Sequence, residues 1–428
     1  MITGACAVAL ADYGRGVSPT AKLREWLGGQ PVLPVVALAG LNLVDEFDRI
    51  AYATLTPEIR DAFGSTDAVI NSVATLSAVM ILITAIPTGR LSDRVSRVKL
   101  SLGAAAMWGV ASALTGAVPT IGLLLVVRLL AGIGRNANEV IHPSLLSDVY
   151  PQAVHPRVFF VHRLANPLAQ ASGVVAGVLA DWAGWRWAFV ALAAPTAVFS
   201  VVLSFVDDPP RRGLQGDIDR RDISVRAAFG ELRRLKSLPR FWAAAFFLAA
   251  AAVGIFQLVS VYFEQEFGFG ATERGATQFL VGVGWIGGIV VGARLADDLD
   301  VAKVGRLAVL CAGGFSVIAI GAVVVGSAPN SAVALVATTI MASGNGVWQA
   351  PYFSAVGLIA PPGMSGQVYA SSTIFYALGA LLSVPLYIIG DSVSYRLAFG
   401  GVAVLALVAS VIAITAAPHV REDIERSP

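Results

Sequence analysis

The tetrad Arg90-Leu91-Ser92-Asp93 closes an apolar run at 69–88, and the similar tetrad Arg294-Leu295-Ala296-Asp297 closes another apolar run at 273–295. The first tetrad follows the second apolar run of the chain, and the second tetrad follows the eighth. Together with matching runs on either side of each tetrad, this recurrence predicts two similar halves. Paired membrane halves are how transporters build a midplane site with alternating access.

Twelve apolar runs are each long enough to cross a bilayer as a helix, for which about 20 residues are needed. They alternate with short polar segments and fall into two groups of six: 33–56, 69–88, 100–118, 121–147, 158–180 and 187–206, then 240–263, 273–295, 305–326, 331–353, 366–389 and 396–416. Continuous apolar runs of this length satisfy their backbone groups only as helices. We predict an all-α polytopic membrane protein with twelve transmembrane helices in two pseudo-symmetric six-helix bundles.

The composition excludes several other classes of protein. Of 428 residues, 56% are hydrophobic and 14% charged, against roughly a quarter charged in a soluble domain. The net charge of +2 is too small and dispersed for nucleic-acid binding, and the cysteines Cys6 and Cys311 offer no disulfide framework. A polytopic membrane enzyme is disfavoured because no zinc-helix motif, nucleophile elbow or phosphate loop is present. We expect no cofactor and no metal.

Basic residues concentrate between the two groups of runs and predict the orientation. They are Arg211, Arg212, Arg220, Arg221, Arg226, Arg233, Arg234 and Lys236. By the positive-inside rule, this linker and both termini are cytoplasmic in a multi-pass protein of the cell (inner) membrane. Residues 1–32 lack the features of a signal peptide and read as a retained tail.

These observations divide the chain into an N-terminal tail at 1–32, a bundle at 33–206, a linker at 207–239, a second bundle at 240–416 and a C-terminal tail at 417–428. Within the linker, Val225, Phe229, Leu232 and Leu235 recur near helical spacing. They predict an amphipathic helix on the inner leaflet.

The first span carries four charged residues, Asp45, Glu46, Asp48 and Arg49. Each costs roughly 2.5–3.5 kcal/mol at the bilayer centre, so together they cannot face lipid. Asp45, Asp48, Arg49 and Tyr52 lie within about a third of the helix circumference, and Asp45 is placed to pair with Arg49 at i,i+4. Glu46 stands off that arc and needs another partner.

The fourth and fifth spans carry further polar side chains on one face each. Those of the fourth fall in a strip about 60° wide, which indicates one wet face. Intramembrane ionisable residues are functional by default, so we predict a proton-coupling group in a central cavity: Asp45, Asp48, Arg49, Arg128, Arg135, Glu139, His142 and Arg163. His162 lies beside Arg163. The alternative is that these charges only lock the first, fourth and fifth helices together.

In the second half the corresponding candidates are mostly neutral or aromatic, which suggests stacking and hydrogen bonding to the rest of a substrate. The predicted substrate cavity comprises Tyr52, Asn166, Gln170, Gln257, Asn345, Trp348, Gln349, Tyr369 and Tyr376. The alternative is that the aromatic residues mark helix packing and membrane interfaces. Gly173 and Gly177 are expected at close-packing positions.

Three motifs resemble those of the major facilitator superfamily, in the right order and at the right topological places. They are Gly89-Arg90-Leu91-Ser92-Asp93-Arg94-Val95-Ser96-Arg97-Val98-Lys99, Arg128-Leu129-Leu130-Ala131-Gly132-Ile133-Gly134 and Asp208-Pro209-Pro210-Arg211. Ser96 stands where the loop motif usually has its second glycine. The resemblance covers essentially the whole chain.

The loop motif can act as a cytoplasmic gate formed by Gly89, Asp93, Arg94 and Arg97. In this interpretation Asp93 pairs with Arg97 one turn on, and charged groups bond across the bundle interface when the inner mouth is shut. The alternative is that these charges only set the membrane topology.

Within the superfamily, Asp48-Arg49 followed by Pro57, Ile59 and Phe63-Gly64 is similar to the first helix of Spinster-like lysolipid transporters, as is the run from Arg128 to Asp148. Arg135 stands where that family usually has a glutamate. If the glutamate carries the coupling proton in relatives, coupling here passes to Asp48, Asp45 or Glu139, or is lost. The first span also resembles that of proton-coupled oligopeptide transporters.

The resemblance implies a secondary active transporter of a small organic or amphiphilic substrate, such as a lysolipid, coupled to protons and acting as a monomer in the bilayer. The alternatives are an uncoupled facilitator or lysolipid flippase, and a drug or metabolite exporter of the same superfamily. Substrate and direction are left open.

Overall fold

The computed structural model describes residues 19–92, 94–209, 225–297, 304–361 and 365–426. Apart from a short 3₁₀ turn at Gln152–Val154, the regular structure in these ranges is α-helical. The first half contains α1 (Pro19–Trp26), α2 (Leu33–Thr54), α3 (Thr56–Phe63), α4 (Asp67–Ser92), α5 (Arg97–Thr115), α6 (Ile121–Val149), α7 (His155–Ala169), α8 (Ser172–Ala183) and α9 (Trp185–Ser204). The linker helix α10 (Val225–Leu232) leads to the second half, with α11 (Leu238–Phe267), α12 (Ala271–Asp297), α13 (Gly305–Gly326), α14 (Ser331–Val347), α15 (Gln349–Ile359), α16 (Ser365–Ala380), α17 (Ser383–Ser392) and α18 (Tyr395–Arg426).

Ten helical segments among the described residues are long and apolar enough to cross a membrane. Two more complete the twelve crossings. One is α2, whose four central charges lower its hydropathy, and the other is α7 with α8, which are interrupted near Gln170. The predicted all-α fold of twelve transmembrane helices is confirmed.

Three crossings are broken near their middle. Pro167 lies in the last turn of α7, where its ring removes a backbone donor, and the chain resumes as α8 two residues after the break. Trp348 separates α14 from α15, and residues 381–382 separate α16 from α17. Two predicted site residues, Gln170 and Trp348, therefore stand at helix breaks.

The hydrophobic core of the first half has two parts. One lies around Leu38, Leu146 and Leu203, and the other around Tyr52 and Phe189. On α2 the polar segment from Asn42 to Arg49 falls between them. The fold thereby places the charged residues of the first span in the middle of the bundle.

The two ends of the bundle are distinguished by the segments that lie at each of them. We define the tail end by α1, the linker and the end of α18, and the distal end by α3 and the turn at Gly268. At the tail end Asp423 accepts hydrogen bonds from Lys236 N at 3.0 Å and from Ser237 Oγ at 2.6 Å. The helix α18 continues to Arg426, through most of the predicted C-terminal tail.

Candidate functional site

A buried cluster around Asp48 joins three helices of the first half. Asp48 is 3% exposed and Arg128 is 2% exposed, and an Nη atom of Arg128 lies 2.8 Å from a carboxylate oxygen of Asp48. Ser112 on α5 donates to Asp48 at 2.6 Å, and Arg135 approaches it at 3.2 Å. The residues predicted on the first and fourth spans therefore meet inside the protein and do not point outward into lipid.

Arg135 extends this cluster to a second carboxylate. Its Nε donates to Asp45 Oδ1 at 2.7 Å. The guanidinium of Arg128 also lies 4.6 Å from the ring centre of Tyr52, whose hydroxyl donates to Ile70 O at 3.1 Å. Two carboxylates and two guanidinium groups thus compensate one another, which a buried charge requires.

The predicted pairing of Asp45 with Arg49 is corrected by the structure. Arg49 instead forms an ion pair with Glu46 at 2.8 Å, one turn earlier on α2, because Asp45 is bound by Arg135 from α6. Glu46, expected to need another partner, also accepts from Asn166 at 3.3 Å. The Arg49 side chain is 39% exposed and lies close enough to Tyr376 of α16 for an electrostatic interaction.

The fifth span contributes contacts to α2 and to α6. Asn42 donates to Asn166 Oδ1 at 3.1 Å and to the backbone oxygen of His162 at 2.9 Å. The rings of His142 and His162 approach to 3.3 Å between Nδ1 and Nε2, and both residues are buried. Arg163 is exposed and interacts electrostatically with His142.

Two other predicted site residues of the first half, Gln170 and Glu139, are not part of the charged cluster that the structure describes. Gln170 is buried at the break between α7 and α8, where its side chain packs against Gly282 of the second half. Gln170 therefore packs between the halves, and its contact with a substrate stays a prediction. The side chain of Glu139 lies outside the described residues.

The predicted substrate-binding residues of the second half have different surroundings in the structure. Trp348 is buried against Phe315 and Tyr352, with ring centres 5.9 and 5.5 Å apart, and its Nε1 donates to Asn345 Oδ1 at 3.2 Å. Trp348 is thus packed in the core of the second half, whereas Asn345 also lines a small interior cavity with Phe256 and Trp285. Their contact with a substrate stays a prediction.

The remaining candidates make local bonds. Gln349 Nε2 donates to Asn345 O at 3.1 Å, and the exposed Tyr369 donates to Phe353 O at 3.2 Å. The Oε1 atom of Gln257 is buried without a donor among the described residues, so Gln257 retains an unused acceptor. Tyr376 is the second-half candidate that approaches the charged residues of α2.

At the tail end Arg97 is held within the first half. It pairs with Asp148 of α6 and with Asp208 at 3.3 Å, and donates to Pro209 O at 2.9 Å. Asp93, its predicted partner, lies outside the described residues, whereas Arg94 is exposed and Gly89 lies near Val140. The arrangement ties α5 to α6 and to the end of the sixth span.

A network at the distal end joins the two halves and was not predicted from the sequence. Arg60 on α3 contacts Asp67 at 3.0 Å and Glu264 of the second half at 3.1 Å. Burial opposes the charge of Arg60, but hydrogen bonds to the surrounding carboxylates raise its pKa above the ordinary value. The sequence signal was only the presence of isolated arginines in loops that are otherwise poor in basic residues.

Further bonds close the same end. Arg274 of α12 pairs with Glu58 and donates to Thr54 O at 3.2 Å. Asp391 accepts from Ala68 N at 2.7 Å and from Tyr395 at 2.6 Å. The bonds of Arg274 with Glu58 and Thr54 and of Asp391 with Ala68 join the two halves at the distal end.

Glycines bring the halves into direct contact next to this network. A Cβ atom on Gly177 of α8 would lie 2.3 Å from Ala271 O of α12, and one on Gly275 would lie 2.1 Å from Gly173 O. Separations this short exclude any side chain. The expectation that Gly173 and Gly177 are close-packing positions agrees with these contacts.

Two packed helical halves around charged residues in the middle of the membrane define a multi-pass membrane transporter. The sequence profile of the Major Facilitator Superfamily matches residues 38–384, and the chain belongs to this superfamily. The predicted relationship to it, and to Spinster-like proteins within it, is confirmed by the relatives found.

One relative in sequence is protein spinster homolog 1 of Bos taurus, 29% identical over 219 residues, which is 50% of this chain and 41% of that protein. The chain thus matches less than half of the relative's length. In structure, a bacterial homolog of the human lysosomal transporter Spinster, in an inward-facing and unoccupied conformation, has a TM-score of 0.69 at 16% identity, covering 96% of this chain and 98% of that chain. A D-xylose–proton symporter has a TM-score of 0.76 at 15% identity, covering 90% of this chain and 98% of that chain.

Proposed function

We propose that this transporter moves a small amphiphilic substrate by alternating access and couples the movement to protons. The observation that carries the proposal is the buried cluster in which Asp48 and Asp45 are held by Arg128 and Arg135, next to the half-exposed Arg49. Buried carboxylates beside arginines can exchange a proton when the access of water to them changes.

Alternating access requires two arrangements of the halves. Here the distal end is sealed by Arg60 with Glu264 and by Arg274 with Glu58, which supports an inward-facing state. Breaking these inter-half pairs would let the halves rock about the central site. By the positive-inside rule we propose that the tail end is cytoplasmic, with both termini inside a cell (inner) membrane.

The roles of the residues follow from their surroundings. Arg49 and Tyr376 would contact the substrate, because the Arg49 side chain is 39% exposed whereas those of Arg128 and Arg135 are 2% and 15% exposed. Asp45 would carry the proton, because it shares Arg135 with Asp48 and protonation of one carboxylate would leave Arg135 to the other. As the resemblance of the first span to Spinster-like lysolipid transporters implies, we propose a lysolipid-like amphiphile as the substrate and a monomer as the working unit.

An uncoupled facilitator or lysolipid flippase is the second candidate. It is favoured by the charge balance of the cluster, because Arg128 and Arg135 already compensate both Asp45 and Asp48. A balanced cluster could stay ionised through the whole cycle. Coupling would then be absent in spite of the buried acids.

Proteoliposomes holding the full chain distinguish the two candidates. Ligands are first found by thermal shift with lysolipids, peptides, sugars and drugs, since a bound ligand stabilises the folded state. Uptake of the ligand found is then measured with and without a pH gradient. Accumulation driven by the gradient, lost in Asp45→Asn but kept in Glu425→Gln at the exposed end of α18, supports coupling. Equilibration that ignores the gradient favours the facilitator.

A further inference from the structure

An apolar groove at the tail end lies outside the charged central site. It has a volume of about 520 Å³ and is bounded by α10, α11 and α16. Its walls are formed mostly by Phe229, Trp242, Phe246, Phe247, Phe375 and Leu378. The volume is in the range of about 300–1,000 Å³ typical of ligand sites.

Aromatic stacking builds one wall of this groove. The rings of Phe229 and Trp242 are nearly parallel with centres 5.3 Å apart, and those of Trp242 and Phe375 are 5.0 Å apart. Leu232 anchors α10 in the core of the second half. The linker helix is thus fixed against the bundle, and the groove is a formed feature between three helices.

A cation stands at the linker side of the groove. Arg233 lines it and lies 6.0 Å from the ring centre of Phe229, and it makes no ion pair within the part of the chain that the structure describes. The neighbouring Arg234, in contrast, is paired with Glu231 at 2.8 Å. Arg233 therefore leaves a positive charge available at the mouth of an apolar site.

A buried donor lies next to the groove. The Nε1 atom of Trp242 is buried without an acceptor among the described residues, although Trp242 is one of the lining residues. An unpaired buried donor costs about 1–3 kcal/mol.

We propose that this groove holds an anionic phospholipid of the bilayer, with an acyl chain on the phenylalanines and the phosphate at Arg233. The groove is long enough for part of an acyl chain, because Phe246 lies eight residues after the start of α11, about 12 Å along the helix. Basic sites between helices at the cytoplasmic side are suited to anionic headgroups. The helix α16 connects the groove to the central site, since Phe375 lines the groove and the adjacent Tyr376 approaches Arg49.

Native mass spectrometry of the full chain in detergent tests the proposal, with phosphatidylglycerol and phosphatidylcholine titrated separately. We expect phosphatidylglycerol to bind about fivefold more tightly, the equivalent of about 1 kcal/mol for one arginine at the surface. Arg233→Gln should abolish this preference. Arg234→Gln is the matched control and should retain it, because Arg234 is 78% exposed and already paired.

Filling the groove supplies an independent variant. Ala243 lies in its wall, so Ala243→Leu should weaken the binding of both lipids severalfold, with folding checked by thermal unfolding. Equal binding of the two lipids by the unmodified chain would overturn the proposal, as would equal losses in Arg233→Gln and Arg234→Gln. The readout is lipid binding, so either outcome is independent of whether the chain couples transport to protons.

Discussion

Arg135 on α6 donates to Asp45 on α2 at 2.7 Å, across the interface of the first and fourth spans. The same guanidinium reaches Asp48 at 3.2 Å, so one arginine links two buried carboxylates. One residue of the fourth span therefore binds both acids of the first span. This relationship makes the cluster interdependent, because removing one member leaves another charge uncompensated.

Asp48→Asn should abolish transport and destabilise the protein by about 3–5 kcal/mol, because it leaves buried Arg128 without its main anion. Thermal unfolding and proteoliposome uptake measure the two effects. The control is Glu425→Gln, which removes a carboxylate from an exposed pair with Arg421 and should cost about 0–1 kcal/mol. Uptake that survives Asp48→Asn would show that the cluster is only structural.

Arg60→Gln should open the distal end, because it removes the ion pair with Glu264 between the halves. The expected readout is about tenfold faster labelling of a thiol introduced by Ser260→Cys in a background without the native cysteines, since a charged hydrogen bond contributes about 1.5 kcal/mol or more. Ser260 lies at this interface and donates to Thr54 O at 2.7 Å.

Arg186→Gln is the matched control for that experiment. Arg186 is also at the distal end but donates to Gly116 O at 3.2 Å and to Val118 O at 2.9 Å, both in the first half. It should leave the labelling rate unchanged. Equal rates in all variants would mean that the Arg60 network does not hold the halves together.

Gly177→Val should separate α8 from α12, because any side chain at that position would collide with Ala271 O. Transport should fall at least tenfold, and thiol labelling at the distal end should rise. The comparison is Gly122→Val, where a Cβ atom meets nothing within 4 Å. If both valines behave alike, close packing of the halves at Gly177 is not required for transport.

Arg97→Gln should lower the unfolding free energy by about 3–5 kcal/mol, because Asp148 and Asp208 both lose their common cation in a partly buried site. Arg94→Gln, three residues earlier and exposed, should stay within about 0.5 kcal/mol of the unmodified protein. Thermal unfolding of both variants checks this. A similarly small effect of both substitutions would indicate that the charges of the loop motif only set the membrane topology.

Much of the cluster could be predicted from helical periodicity. The 100° step placed Asp45 and Asp48 on one face of the first span, and the same step aligned Arg128 and Arg135 on the fourth. The partner of Arg49 was predicted incorrectly, because i,i+4 spacing ignores competition from another helix. Asp45 is bound by Arg135, and Arg49 turns to Glu46.

The second half was harder to interpret because its candidates are aromatic or amide residues. Such side chains serve equally in a cavity or in a core, and periodicity does not separate the two. The structure buries Trp348 in aromatic packing, places Asn345 at a small interior cavity and brings Tyr376 near Arg49. The distal network was missed because its partners are remote in the sequence. Arg60 and Glu264 are 204 positions apart, and Arg274 and Thr54 are 220 positions apart.

The sequence alone determined the twelve-helix fold, the two halves and the need to shelter the charges of α2, because hydrocarbon penalises exposed backbone and ionised groups whatever their neighbours. The tertiary structure decided which guanidinium binds which carboxylate, which end is sealed and where the linker helix packs. Those outcomes depend on distances between helices that are remote in the chain, and an ion pair of about 3 Å cannot be inferred from the periodicity of either helix by itself.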